Sequence, residues 1–333
     1  MSFIEEIKNR AKQQIKTIIL PEATDIRILK AAQIVNKEKY AKVALIGNKE
    51  EIERLIKENN LELGDTQIID SAKSEETSEY AKELYELRKA KGMTEEQAQK
   101  LILEPIYYGM MMVKLNHADG LVSGAAHSTA DTLRPALQIL KTAPGTRLVS
   151  AFFVMVVPNC EYGANGTFIF ADSGLNEEPD ADKLSEIAIS SSKSFKQLVG
   201  EEPKVAMLSY STYGSAHSAS TEKVVEATKL AKEKAPELLI DGELQLDAAI
   251  IPEVAEFKAK GSPLKGEANV LVFPDLGAGN IGYKLTQRLA KAEAYGPLCQ
   301  GIARPVNDLS RGCSSEDVAG VVAITAVQAQ SQG

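Results

Sequence analysis

The run Arg304-Pro-Val-Asn-Asp-Leu-Ser-Arg-Gly-Cys-Ser-Ser-Glu-Asp317 gathers Asn307, Asp308, Ser310, Arg311, Cys313 and Asp317 just before an apolar segment with helical character. A guanidinium, a hydroxyl, a thiol and carboxylates at this spacing suit a turn, a helix cap or an active site. Ser314 has the chemistry of an N-cap with Asp317 at N3, and Pro305 and Gly312 can shape a turn. That reading leaves Ser310-Arg311 unexplained. An arginine ahead of a helix N-terminus opposes the dipole unless an anion binds there.

Other groups compete for a role. Gly120-Leu-Val-Ser123 predicts a strand running into the small-residue loop Gly124-Ala-Ala-His127-Ser-Thr129. Gly277-Ala-Gly279-Asn-Ile-Gly282 matches the dinucleotide fingerprint, yet three residues separate it from the preceding strand and no acidic strand end follows about 20 positions on. A tight strand-to-helix turn is the expectation there. His117, His127 and His217 pair at no metal-ligand spacing and read as hydrogen-bonded residues of loops or core. Asp241, Glu243 and Asp247 read as a solvated strand end. Arg88, in a basic cluster, reads as a helix C-terminus answering the macrodipole.

The elements that must position these groups alternate along the chain. Strands are predicted at Thr17–Leu20, Lys42–Ile46, Gln67–Ile69, Gly120–Ser123, Leu148–Val157, Thr167–Phe170, Val205–Leu208, Leu238–Ile240 and Val270–Phe273. Helices are predicted between them, with capping boxes at Asn48/Glu51 and Thr94/Gln97, a helix over Asn280–Ala292 and a last one over Ser315–Gln328. Strands separated by helices need crossovers, which imply a mainly parallel α/β sheet with ligands beyond the strand carboxyl ends. At 333 residues two domains are expected, with a break near Ala143-Pro144-Gly145.

Composition excludes some partners. A net charge of −8 argues against general nucleic-acid binding. With nine arginines in the chain, one in a Gly/Ser loop is informative. Three dispersed cysteines without a CxxC fit a reducing cytoplasm and offer no zinc site. The charged stretch from Met1 to Lys16 is not a signal peptide, and the apolar run Leu148–Val157 is too short to span a membrane. Residue types and spacing thus reach a soluble two-domain α/β protein with an anion site near Arg311.

Three segments resemble signatures of the phosphate acetyltransferase (phosphotransacetylase) family: Ser123-Gly-Ala-Ala-His-Ser-Thr-Ala-Asp-Thr-Leu-Arg-Pro-Ala-Leu-Gln138, Phe273-Pro-Asp-Leu-Gly-Ala-Gly-Asn-Ile-Gly-Tyr-Lys284 and Pro305-Val-Asn-Asp-Leu-Ser-Arg-Gly-Cys313. Weaker echoes are Leu20-Pro-Glu22, Leu87-Arg-Lys-Ala-Lys-Gly92 and Asp241-Gly-Glu-Leu-Gln245. The resemblance implies reversible acetyl transfer between acetyl phosphate and coenzyme A, with no permanently bound cofactor, metal or nicotinamide. It also implies a cytoplasmic homodimer whose partners are the small molecules coenzyme A, acetyl phosphate and phosphate. Its fold would be two α/β domains like those of the isocitrate and isopropylmalate dehydrogenases, with the active site in the cleft. Residues 1–145 plus 295–333 would form one domain and 146–294 the other.

By matching position, the resemblance makes Ser310, Arg311 and Asp317 catalytic, with Arg88, Arg134, Ser128 and Thr129 binding substrate. Asp317 would take the proton of the coenzyme A thiol, helped by partial burial or by closure of the cleft, while Arg311 and Arg134 fork onto phosphate and Ser310 donates to the developing charge. Direct transfer in a ternary complex is expected over a covalent route through Cys313. Two positions depart from the family pattern: Gly277, where a larger polar residue is usual, and Tyr213, where lysine is expected. The alternatives are phosphate butyryltransferase, with a roomier acyl pocket, and a non-catalytic acetyl-CoA-binding regulatory module.

Overall fold

Short β-branched runs alternate with helices along the chain, and the structure, a computed structural model describing residues 2–331, arranges them as two sheets in two units. One unit carries the chain up to Pro144 and again from Ile302; the other is Gly145–Gly301.

The first unit begins with β1 (Thr17–Leu20), β2 (Lys42–Ile46), β3 (Gln67–Ile69) and β4 (Gly120–Ser123). The second holds β5 (Ser150–Val156), β6 (Thr167–Ala171), β7 (Lys204–Leu208), β8 (Leu239–Leu244), β9 (Val270–Val272) and β10 (Glu293–Gln300). The chain then returns to the first unit as β11 (Val306–Asp308).

The first sheet has the order β11-β4-β1-β2-β3 and every pair is parallel. Apart from the edge strand β3, its strands are buried almost continuously, as a sheet covered by helices on both faces requires. The second sheet, β10-β5-β6-β9-β7-β8, is parallel from β6 onward, while β5 runs antiparallel to both β6 and β10.

Two strands escaped the sequence pattern. β10 reads Glu-Ala-Tyr-Gly-Pro-Leu-Cys-Gln, without alternation, and its register on β5 shifts between Tyr295 and Leu298. β11 has three residues, two of them polar, yet all three are buried. Pairing of β10 on β5 keeps residues 295–301 in the second unit, so the return falls at Ile302 rather than at 295.

The last helix, Ser315–Gln330, is apolar all round and buried from Val318 to Ala329. It packs against the helices Phe3–Ala11 and Ile26–Glu38, and the Tyr40 hydroxyl donates to Ala319 O at 2.9 Å. Its end faces β11, where Asn307 Nδ2 donates to Thr325 Oγ1 (2.8 Å) and Gln328 Oε1 (2.7 Å). These bonds satisfy a polar strand residue that burial would otherwise penalise. Among the described residues no helix is long and apolar enough to cross a membrane.

The fingerprint-like glycines are not in a turn. The helix starts at Leu276, capped by Asp275, so Gly277, Gly279 and Gly282 all lie inside it. A Cβ at Gly279 would stand 2.4 Å from Asp172 O, and one at Gly282 would stand 2.9 Å from the Phe273 ring. These two glycines let the helix pack closely.

Candidate active site

β4 and β11 end side by side, with Ser123 in register with Asp308. The loops that follow them, 124–128 and 309–314, therefore start level at the carboxyl edge of the sheet. β1 ends one strand further on, and its chain turns toward β2 while β4 and β11 build the other side. Such a reversal of strand order is where parallel α/β sheets leave a ligand crevice.

Glu22, in the turn after β1, and Arg27, in the first turn of the helix that follows, shape both loops. Glu22 is 4% exposed, and its carboxylate accepts from the N–H groups of Gly124 (2.9 Å), Ala125 (2.9 Å), Ala126 (2.8 Å) and His127 (2.8 Å), and from His127 Nδ1 (2.8 Å). Consecutive N–H groups converging on one anion form a nest, filled here by the protein's own carboxylate. Arg27 is fixed by Asp25, whose carboxyl it holds below the usual range through their hydrogen bonds. Its guanidinium donates to Arg311 O (2.7 Å), Cys313 O (3.2 Å) and Ala125 O (2.8 Å), tying the two loops together.

On this scaffold Ser310, Arg311 and Asp317 are all exposed. Arg311 Nη1 donates to His127 O at 3.2 Å, and no other hydrogen bond from its guanidinium is seen among the described residues. Ser314 and Asp317 form the expected capping box: Asp317 N donates to Ser314 Oγ (3.0 Å) and Ser314 N to Asp317 Oδ2 (2.9 Å). Of the two settings expected to raise the Asp317 carboxyl, partial burial is absent here, since the side chain is exposed. Its place at N3 turns one oxygen back onto the cap and leaves the side chain facing solvent.

Ser128 and Thr129 start the helix Thr129–Ile139. Ser128 is its N-cap, accepting from Asp131 N at 3.2 Å, while its own Oγ (2.6 Å) and N (3.3 Å) donate to Asp131 Oδ2 and hold that carboxyl below its ordinary range. Thr129 Oγ1 donates to Asp308 Oδ2 at 2.5 Å. Both hydroxyls thus already have internal partners. One turn on, Arg134 is 60% exposed and only loosely paired with Asp131 at 3.9 Å, a contact of little energetic weight.

Arg88 ends the helix Thr77–Arg88 and is half-buried, its Nε hidden without a hydrogen-bond partner among the described residues. Tyr107, from the helix Pro105–Lys114, connects it to Arg134. Burial raises the Tyr107 phenol, the positive charges of Arg134 and Arg88 oppose that shift, and the hydroxyl donates to Gln138 Oε1 at 3.1 Å. The structure therefore brings Ser310, Arg311, Ser128 and Thr129 around two adjoining loops and sets Arg88 and Arg134 about Tyr107. The helix Thr129–Ile139 is common to both groups.

Glu22, Arg27 and Tyr107 were not singled out from the sequence as site residues, and Asp308 stood in the opening run without a role. Glu22 had a faint signal, as the last residue of Leu20-Pro-Glu22. Arg27, one of nine arginines, stands two residues after an aspartate that caps its helix.

Asp308 is 1% exposed and its Oδ1 has no partner among the described residues; Ser123 Oγ, in register with it across the sheet, and Thr132 Oγ1, which acts on the same carboxyl, are also buried without one. Gly124, at φ +113°, is required here because a Cβ would stand 2.2 Å from Asp308 Oδ1. Burial pushes the Asp308 carboxyl up to about 6, with Glu22 adding to the shift and Thr129 opposing it. A carboxyl that keeps its proton to higher pH folded than unfolded stabilises the fold most at low pH, and this contribution is lost as pH rises through about 6. Asp308→Asn stays neutral, still accepts from Thr129 and offers an amide to the two orphan hydroxyls. At pH 8 it is expected to be more stable than the parent by roughly 1–3 kcal/mol, and at pH 4 the two should melt together. A variant that melts below the parent at pH 8 overturns this account.

The remaining candidates are structural. His117 Nδ1 pairs with the Tyr80 hydroxyl. Asp241 and Glu243 are not solvated; each is 3% exposed. Asp241 accepts from Lys232 (2.8 Å), Ser262 (2.6 Å) and the Tyr213 hydroxyl, so the tyrosine found where lysine was expected has a partner in the second unit. Glu243 accepts from Ser211 Oγ (2.9 Å) and Gly214 N (2.7 Å), shaping the loop after β7. No group of three metal-ligating side chains stands together among the described residues.

Fold and site together define an α/β protein that gathers arginines and hydroxyls at the carboxyl edge of a parallel sheet. The chain belongs to the phosphate acetyl/butaryl transferase family, whose model matches residues 2–326. It is 69% identical over 330 residues to a phosphate acetyltransferase of Acetivibrio thermocellus, covering 99% of both chains. It also resembles two solved structures. A phosphotransacetylase from Streptococcus pyogenes gives a TM-score of 0.93 at 41% identity, covering 99% of this chain and 100% of that one. The EutD phosphotransacetylase from Staphylococcus aureus gives 0.89 at 47% identity, covering 98% and 99%.

Proposed function

We propose that the chain is a phosphate acetyltransferase, moving acetyl reversibly between acetyl phosphate and coenzyme A. The observation that carries this reading is similarity to phosphate acetyltransferases over the whole chain, and Ser310, Arg311, Asp317, Arg88 and Arg134, to which the resemblance gives roles, are all present. Coenzyme A is a substrate here, and the reaction is assigned no permanently bound cofactor or metal.

In this reading the thiol attacks the acetyl carbonyl while Asp317 takes its proton. Arg311 and Arg134 bind the phosphoryl oxygens, Arg88 adds positive charge beside Tyr107, and Ser310 donates to the carbonyl oxygen as it gains charge. Ser128 and Thr129 act mainly through the helix start they build, since their hydroxyls donate to Asp131 and Asp308.

Direct transfer is favoured over an acetylated Cys313. That thiol is 7% exposed, and burial pushes it up to about 11. At neutral pH only about one molecule in ten thousand would carry the thiolate, the form that attacks.

A homodimer is part of the proposal. The helix Leu276–Leu289 turns Ile281, Leu285 and Leu289 outward, an exposed apolar row of the kind that marks interfaces. The three free cysteines agree with a cytoplasmic setting.

The test is to mix the purified protein with coenzyme A and acetyl, propionyl or butyryl phosphate and follow the thioester. Acetyl phosphate is expected to react fastest, with Cys313→Ala retaining most of the rate. No thioester from any donor would overturn the assignment; a clear preference for butyryl phosphate would reassign the acyl group.

A further inference from the structure

Thiol attack on an acyl phosphate breaks the bond between the carbonyl carbon and the bridging oxygen, and the electron pair stays on that oxygen. Without a proton the phosphate would leave as a trianion, so an acid placed on this side lowers the barrier. Asp317 serves the thiol side. The phosphate side needs its own group.

His127 has the geometry for it. Its Nδ1 lies 2.8 Å from Glu22 Oε1, and an ionised carboxylate can only accept, so Nδ1 carries the hydrogen. Nε2 is then the nitrogen left for chemistry, with no hydrogen bond among the described residues, on a side chain 45% exposed. Glu22 is itself immobilised by four backbone N–H groups, the arrangement in which a buried carboxylate fixes the tautomer and orientation of a working imidazole. The residue also adjoins the phosphate-binding group, because Arg311 Nη1 donates to His127 O. The charged groups near the ring are Glu22, Asp131 and Arg311.

We propose that His127 is the general acid–base of the phosphate side, with Glu22 as its positioning residue. As the sulfur–carbon bond forms and the carbon–oxygen bond breaks, Nε2–H passes its proton to the departing oxygen. Hydrogen phosphate leaves, imidazolium becomes imidazole, and Asp317 holds the thiol proton. Exchange with solvent restores both groups. In reverse, Nε2 removes a proton from hydrogen phosphate as that oxygen attacks the thioester.

This inference rests on the reading of the site as one for acyl phosphates, and the wild-type rate separates the two: no thioester from wild type sinks the function itself. Given wild-type activity, His127→Gln is expected to lower kcat about 100-fold with each KM within about threefold. His127→Ala should fall equally and regain rate in proportion to added imidazole, which a structural role would not produce. Glu22→Gln should cost less than His127→Gln, and the double variant should be no slower than His127→Gln alone. A His127→Gln enzyme within threefold of wild-type kcat, or a His127→Ala enzyme that imidazole fails to restore, overturns the proposal. Both tests replace only an exposed ring, so they do not depend on how well Glu22→Gln folds.

Discussion

Arg311→Gln is expected to lower kcat/KM for acetyl phosphate by about a thousandfold, with the KM for coenzyme A within about threefold and the melting temperature nearly unchanged. The asymmetry follows from where its groups are engaged. Arg27 grips the Arg311 carbonyl, which any residue supplies, so the loop keeps its path. The guanidinium is exposed and gives, among the described residues, a single 3.2 Å bond to His127 O, leaving most of its five N–H donors for a ligand. A fork onto phosphoryl oxygens strengthens as charge builds on the leaving group, and losing one such interaction costs on the order of 3–4 kcal/mol in the transition state. Glutamine retains a hydrogen-bonding amide but not the charge. Arg311→Lys restores the charge without the fork and should recover only part of the loss. Steady-state kinetics with acetyl phosphate varied at saturating coenzyme A decides it; turnover near normal in Arg311→Gln would remove the residue from its assigned role.

The α/β class was legible because period and punctuation agree along the chain. Thr17–Leu20, Lys42–Ile46 and Gly120–Ser123 are short apolar runs between helices with readable caps, and each is a buried parallel strand. The Thr94/Gln97 and Ser314/Asp317 boxes are complete in the structure, while at Asn48 only the bond from Glu51 N is made. Local chemistry decides such features, so local sequence shows them. β10 and β11 were not legible because tertiary partners make them: β5 pairs with a strand holding Gly296-Pro297, and Thr325 and Gln328 satisfy buried Asn307.

The same division runs through the site. Ser310, Arg311 and Asp317 stand within eight positions, where spacing marks an anion site near Arg311 and the family resemblance supplies the roles of all three. Glu22 and Asp308 do their work across gaps of more than a hundred residues, one closing a nest on 124–127 and the other meeting Thr129. Asp241 and Glu243 show the opposite error. Carboxylates near a strand end are usually solvated, but here Lys232, Ser262 and Ser211 compensate their burial. A composition-based reading cannot see compensation that arrives from another element.

Asp317→Asn is expected to lower kcat by a factor of about a hundred to ten thousand without loosening the fold. Asparagine at N3 still accepts the Ser314 N–H that Asp317 Oδ2 accepts now, so the last helix keeps its capping geometry, and the helix is in any case held by burial from Val318 to Ala329. What asparagine cannot do is take a proton. A free thiol near pKa 8.5 is mostly protonated at neutral pH, so without a base the attack depends on the small fraction already ionised. The variant's rate relative to wild type should therefore climb as pH rises, by up to about tenfold per unit, and level off near the thiol's own ionisation at about 8.5. A structural defect would give a ratio independent of pH. Measuring kcat for both enzymes across pH 6 to 9 separates the cases: a flat ratio, or a variant as fast as wild type at pH 7, would show that Asp317 only caps its helix.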